Sequence, residues 1–458
     1  VDRIVDLYAK VTTVPVNSLF EEKGKLKKVL ACSISYDNFK TNMSNYLTSW
    51  TIVVQVLVTA LATQPNKRSE FVVEVFQAVT PKIDDFLEYD VSFAETLISL
   101  CVHLIHVYND GKALLTNPTK GTDMKARLDY ERLFPLFRVT IRGIGLPYTT
   151  PSLRSDLYVL AGSYLDMVIS NAGIVTELAV FLKSMASKPL DVVCHDSLIG
   201  EGSNKITSLV LLKSFAKVII GLQDSHFQEK FIMQTFSRGN YLLLLIQKLN
   251  VVDEIFLQGL KSSAVKKVSL RELIYELTYF KSMLSLFITL ARAHSGAQLL
   301  LRNDLFSTLR ELKFLQLDAD LGMELELNEN GNQGGNAPVV TISLDRPLGM
   351  NMTFAGHNET VSKDVVSLYE IFIPIFQLIT SIVITSGPQN SMSLNQAKRM
   401  EEHFSPLMSA VLKRTLLYQR LLESEEEFGS SKKAIGDYNT EGLEELSKLF
   451  TLLHSLLN

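Results

Sequence analysis

Residues 271–309, RELIYELTYFKSMLSLFITLARAHSGAQLLLRNDLFSTL, begin with a helix that is apolar on two sides at once. Leu273, Ile274, Leu277, Phe280, Leu284, Phe287, Ile288 and Ala291 keep the three-and-four spacing of one helical face. Tyr275, Tyr279, Met283, Leu286 and Leu290 form a second stripe on the far side. A helix packed on one neighbour needs one stripe. Two stripes demand burial between two layers, as in a large helical core or a stack of helical repeats. Ser295 and Gly296 interrupt the period, residues 297–302 resume it, and Asn303 and Asp304 stop it again. Asp304 is placed to cap a third stretch carrying Leu305, Phe306, Leu309 and Leu312, its carboxylate accepting free N–H groups of the new first turn. Long helix, short helix, medium helix is the grammar of armadillo and HEAT-type units.

Residues 206–222, 226–236 and 240–249 repeat that grammar at an irregular offset, and further helices are predicted over 45–63, 69–79, 92–108, 154–171 and 174–186. Period-2 segments are almost absent. The expected fold class is therefore all-α, an α-solenoid of irregular HEAT/armadillo-like repeats. One segment departs from the pattern: residues 322–360 are rich in Asn and Gly without helical period, and are expected to form a long, mobile insertion with a short strand at 339–343. The domain reading is a repeat solenoid over 1–321, the insertion over 322–364, and a C-terminal helical tail over 365–458. Within that tail, Ser405-Pro406 reads as the N-cap and first position of a helix carrying Leu407, Val411, Leu417, Tyr418 and Leu421. After a polar break at 423–440, a last amphipathic helix carries Leu443, Leu446, Phe450, Leu453 and Leu457.

Composition narrows the function classes. At 47% hydrophobic residues and a mean hydropathy of +0.15, the chain suits helices buried on two sides. Its 45 Lys and Arg stand against 49 Asp and Glu, a net charge of −4, so there is no basic footprint for nucleic acid. Cys32, Cys101 and Cys194 are far apart and show neither metal nor disulfide spacing, which points to a reducing compartment. The sequence opens on Val1-Asp2-Arg3-Ile4 with no secretory leader, as a piece of a longer protein would, and its three N-glycosylation sequons are read as chance. Residues 365–387 are apolar enough to suggest a membrane span, which needs about 20 such residues, but Glu370, Pro374 and Gln377 fall inside the run. A buried, proline-kinked helix is expected there, and no transmembrane segment.

Reactive constellations are hard to assemble from these residues. GEGSNK at 200–205 lacks the Gly-Lys-Ser/Thr ending of a phosphate loop, and no dinucleotide fingerprint is present. His103 and His106 can share a helix face near Cys101, but without a further ligand pair they read as packing residues rather than a zinc site. Asp224-Ser225-His226 holds three triad residue types in the wrong arrangement, since a triad is brought together by the fold; Asp224 and Ser225 are expected to cap a helix beginning at His226. Lys261, Lys266, Lys267 and Arg271, and the acidic run Glu423, Glu425, Glu426 and Glu427, read as solvated loop and helix ends. The expectation is no enzyme, no metal, no cofactor and no small-molecule substrate. Apolar helices of this kind suit capture of a partner helix or short segment.

Residues 386–420, SGPQNSMSLNQAKRMEEHFSPLMSAVLKRTLLYQR, resemble the tail of the large α-helical scaffold nucleoporins of the nuclear pore inner ring. The likeness rests on Gly387-Pro388-Gln389-Asn390, the helix after it, and Val411-Leu412-Lys413-Arg414, and it extends over roughly 200–424. The group contains nucleoporin 192 of fungi and nucleoporin 205 of animals, with the nucleoporin 188 type close to it. The resemblance implies a nuclear pore scaffold at the nuclear envelope, serving nucleocytoplasmic and mRNA transport, whose partners are other nucleoporins. It further implies that the C-terminal region docks a helical segment of a linker nucleoporin. By position in the last helices, Phe404, Leu417, Tyr418, Leu421, Phe450 and Leu453 are the expected partner-binding residues. The alternatives are a HEAT-type transport receptor or cargo adaptor, and a helical exchange factor for a small GTPase.

Overall fold

The computed structural model describes residues 16–113, 120–169, 176–222, 224–260, 270–316, 322–328, 339–343, 364–367, 369–428 and 440–458. The chain divides into two compact units, Val1–Tyr164 and Leu165–Asn458.

The first unit is built from α1 (Val16–Ala60), α2 (Pro65–Tyr89), α3 (Val91–Ala113), α4 (Lys120–Ile144) and most of α5 (Pro151–Ile169). Helix α2 is the hub, packing on α3 and α4, while α1 lies on α3. Its buried face, Val72, Val73, Phe76, Val79, Ile83 and Leu87, keeps the three-and-four spacing through an interior proline, Pro81. The stretch Val91–Asn109 of α3 is long and apolar enough to cross a membrane by length and composition alone, but half of it is buried among its own neighbours. A core helix meets the same test. At the α2–α3 corner, Asp90 accepts hydrogen bonds from Ser92 N (3.0 Å) and Tyr36 Oη (3.1 Å) and pairs with Lys40 at 3.2 Å, fastening α1 to the turn.

The second unit continues with α6 (Thr176–Ser184), α7 (Ser187–Ile199), α8 (Ser203–Gly221), α9 (Ser225–Phe236), α10 (Tyr241–Leu260), α11 (Leu270–Ala291), α12 (His294–Arg302), α13 (Leu305–Glu311), α14 (Tyr369–Ser386), α15 (Ser391–Phe428) and α16 (Thr440–Leu457). Packing runs in an unbroken succession: α8 on α7, α11 on α8, α14 on α11, α16 on α14. Each helix lies between the one before and the one after, the arrangement of a helical solenoid. Helix α11 shows why the sequence demands it. Phe280, Leu284 and Phe287 of one stripe and Tyr279, Met283, Leu286 and Leu290 of the other are all buried, with α8 and α14 as the two layers. Polar pins lock the core: Tyr279 Oη donates to Ser197 O (2.9 Å), Ser197 Oγ lies 2.7 Å from Tyr241 Oη, and Asn204 Nδ2 donates to the buried Asp196 carboxylate at 2.7 Å.

Several local expectations are corrected. Asp304 stands before α13, but its carboxylate caps nothing; the residue is left-handed (φ 57°) and its carbonyl receives Thr308 N at 3.0 Å. Ser295 and Gly296 lie inside the first turn of α12 instead of breaking the chain. Pro406 falls within α15 rather than starting a helix, because the buried row Ala397, Met400, Phe404, Met408 and Val411 runs straight through it. The packing of that row outweighs one lost backbone bond. Period-2 structure is also present: β1 (Gly322–Asn328) joins β2 (Val339–Ser343) and β3 (Asp364–Ser367) in an antiparallel sheet of order β2-β1-β3, with Leu325 opposite Ile342 and Met323 opposite Val366. The strand expected at 339–343 is β2; the rest of the Asn/Gly-rich segment lies outside the described residues.

Candidate interaction surfaces

The C-terminal layer is organised around one ring. Phe376 of α14 meets Phe450 of α16 edge-on at 4.6 Å and Phe404 of α15 edge-on at 5.6 Å, so a single side chain knits three helices. The α16 stripe Leu443, Leu446, Phe450, Leu453 and Leu457 is buried throughout, as its spacing predicts. Polar contacts close the rim: Gln377 Nε2 donates to Glu445 Oε1 (3.0 Å) and His454 Nδ1 lies 2.5 Å from Glu401 Oε1.

This arrangement separates the six residues picked from sequence. Phe404, Phe450 and Leu453 are 2% exposed or less and spent on the chain's own core. Leu417 is 58% exposed, beside Leu416 at 58%. Tyr418 and Leu421 belong to α15, and their side chains lie outside the described part. On α16 the outward residues are Leu452 and Leu456, which the spacing argument overlooked because it followed only the stronger stripe.

A larger outward face went unnoticed in sequence. On α1, Val29, Cys32, Tyr36, Phe39, Met43, Tyr46, Trp50, Val53, Leu57 and Ala60 alternate steps of three and four for more than four heptads. Met43 and Trp50 are half-buried, Tyr36 and Phe39 touch Asp90 and Phe93 at the α2–α3 corner, and the rest of the row is exposed, Tyr46 at 65%. The opposite stripe, Leu47, Thr51, Val54 and Val58, is buried. Residues 41–60 contain no Asp, Glu, Lys or Arg, unusual for a solvent-facing helix. Exposed apolar surface of this extent marks an interaction face. The signal was present, but the expected helix began at 45, and the heptad shows only when the helix is followed from residue 29.

The groups singled out for chemistry do not converge. Cys101 is fully buried while His103 and His106 face outward on the same helix. Burial pushes the Cys101 and Cys194 thiols and the Tyr241 hydroxyl well above their ordinary ranges, keeping all three protonated. Asp224 is the N-cap of α9: its carboxylate accepts from Phe227 N at 3.0 Å and meets Lys183 Nζ at 2.7 Å. The Lys183 contact, then the Phe227 N–H, hold its pKa below the usual carboxylate value. The stability this adds is present above the ordinary carboxylate range and is lost as pH falls through the depressed value. Accordingly, Asp224→Ala is expected to lower the melting temperature at neutral pH, and the gap from wild type is expected to shrink in acid; a gap independent of pH would contradict it. Helix α8 begins after Gly202 (φ 54°), so GEGSNK is a helix entry. Among the described residues no three His, Cys, Asp or Glu side chains gather as metal ligands. The basic group at 261–271 lies outside the described side chains, as does the acidic run at 423–427.

Layered helices packed in succession define a helical scaffold. Residues 10–457 match the family described as nuclear pore complex scaffold, nucleoporins 186/192/205, and the chain belongs to that family. Nucleoporin NUP192 of Chaetomium thermophilum is 22% identical over 366 residues, covering 69% of this chain and 20% of that protein; the chain thus spans about a fifth of its relative's length. Members of the family are scaffold components of the nuclear pore complex at the nuclear envelope.

Proposed function

We propose that this chain is a structural part of the inner ring of the nuclear pore, catalysing nothing, and that its C-terminal layer docks a helical segment of a linker nucleoporin, thereby supporting nucleocytoplasmic transport. One observation supports the choice of layer. The core of α14, α15 and α16 is already closed by Phe404, Phe450 and Leu453, yet Leu416 and Leu417 on α15 and Leu452 and Leu456 on α16 remain outside it. Large apolar side chains left over on a filled layer are suited to anchor an amphipathic helix.

The test is a calorimetric titration of the 458-residue chain with a purified helical segment of a linker nucleoporin. The double variant Leu416→Asp, Leu417→Asp is expected to weaken binding by at least about tenfold, the scale of losing a central anchor. Tyr46→Asp with Val53→Asp, on the outward face of α1, is expected to leave it unchanged. Full affinity in the α15 variant, or no binding by the parent chain, would sink the reading.

A further inference from the structure

Residues of α6, α7 and α9 line a groove of about 660 Å³ within the second unit. Phe227, Lys230, Phe231, Gln234 and Arg238 follow one another along it at steps of three and four, on α9 and the turn after it, a run of roughly 16 Å. That length suits a short peptide segment. Leu182, Leu190 and Phe231 are buried and make the floor, whereas Phe227 and Met185 are half-buried and Met233 is 38% exposed. Apolar side chains left uncovered in a concavity can take up an apolar side chain of a partner, and the two methionines adapt to its shape.

Charge selects among partners. Lys183, Lys230 and Arg238 line the groove against one carboxylate, Asp191, in a chain whose net charge is −4. Two of these cations are structural. Lys183 Nζ meets Asp224 at the start of α9 at 2.7 Å, and Arg238 Nη1 reaches Asp191 Oδ2 at 3.0 Å and Ser187 Oγ at 3.1 Å. These contacts fasten α6 and α7 to the two ends of α9 and so fix the groove. Lys230 lies between them, is exposed, and has no carboxylate partner among the described residues. A local positive excess on an otherwise acidic chain favours an acidic partner and rejects a basic one. We propose that this groove docks a short acidic peptide segment of a partner protein, with an apolar side chain entering the groove and a carboxylate meeting Lys230. The groove shares no residue with the C-terminal layer, so either reading can fail alone.

The probe is a fluorescein-labelled synthetic peptide, Gly-Glu-Glu-Leu-Phe-Glu-Glu-Gly, titrated with the 458-residue chain and followed by anisotropy. Saturable binding that weakens as salt rises is expected. One control peptide carries glutamine for every glutamate and another carries serine for Leu and Phe; each is expected to bind at least about tenfold more weakly, since one removes the charge and the other the anchor. Lys230→Glu and Met233→Asp are each expected to weaken the parent peptide by roughly tenfold. Both residues are exposed, so the variants are expected to fold, which circular dichroism checks. The double variant Leu416→Asp, Leu417→Asp is expected to bind the peptide as the parent chain does. No saturable binding, an undiminished affinity in either groove variant, or equal binding of either control peptide would overturn the proposal. Displacement of the peptide by an equal concentration of a single-stranded oligonucleotide would also overturn it, giving the groove to nucleic acid.

Discussion

Replacing Phe376 by alanine is expected to cost about 3–5 kcal/mol, the range for emptying a buried aromatic site that cannot collapse. The site cannot collapse because its walls belong to three helices: Phe404 and Phe450 stand edge-on to the ring from α15 and α16, and Ile379 and Ile382 flank it along α14. Both aromatic contacts vanish together, and the α16 stripe loses its central support. Phe376→Leu retains much of the volume and is expected to cost about 1–2 kcal/mol. Urea unfolding followed by circular dichroism checks both values. Trp50, the one tryptophan, lies in the first unit, so its fluorescence reads that unit as an internal reference. A cost below about 1 kcal/mol for the alanine variant would mean that α16 docks without the ring, contrary to the packing described.

Gly296→Ala is the second large effect, and it comes from adding atoms. A Cβ at this position would stand 2.1 Å from Leu290 O and 2.8 Å from its carbonyl carbon, far inside van der Waals contact with backbone that cannot rotate away. Helix α12 starts so close after α11 that only a hydrogen fits between them. Moving α12 outward would disturb Leu299 and Leu300, which are buried, and its contacts with α9 and α14. A loss of about 3 kcal/mol is expected, at the upper end of overpacking costs. Chemical denaturation tests it, and a neutral result would show that the α11–α12 corner opens freely. Gly143→Ala is the comparison: there the nearest atoms, 3.2 Å away, are the ends of the Leu157 and Leu87 side chains, which can give.

How much of this was readable in sequence depends on whether a signal was periodic. The paired stripes of α11, the α16 stripe and the Asp224 cap were legible because each is a short-range pattern with one physical reading. Three helices were misjudged for a shared reason. Pro81, Pro135 and Pro406 sit inside α2, α4 and α15, where a proline reads locally as a boundary, whereas the helix around Pro374 was expected with its proline inside. Helix α4 went unseen and α15 was started at its proline, since the apolar rows that override the missing N–H are completed only by tertiary neighbours. Strand β1 was missed although Met323, Leu325 and Leu327 alternate with glutamates, because its Asn/Gly-rich surroundings outweighed a five-residue alternation. The candidate site was half legible. Sequence placed it in the last helices, but one stripe cannot tell an anchor that faces a partner from one consumed in the core, and Phe404, Phe450 and Leu453 are of the second kind.

The interior prolines have a mechanical consequence. Each removes one rung from the ladder of its helix, so that turn resists stretching and bending less than the turns around it. In α14 and α15 the weakened turns, at Pro374 and Pro406, fall where Phe372, Phe376 and Phe404 are still gripped by packing. Under tension along the chain these helices are therefore expected to bend first at Pro374 and Pro406, while the side chains packed around those turns hold their places.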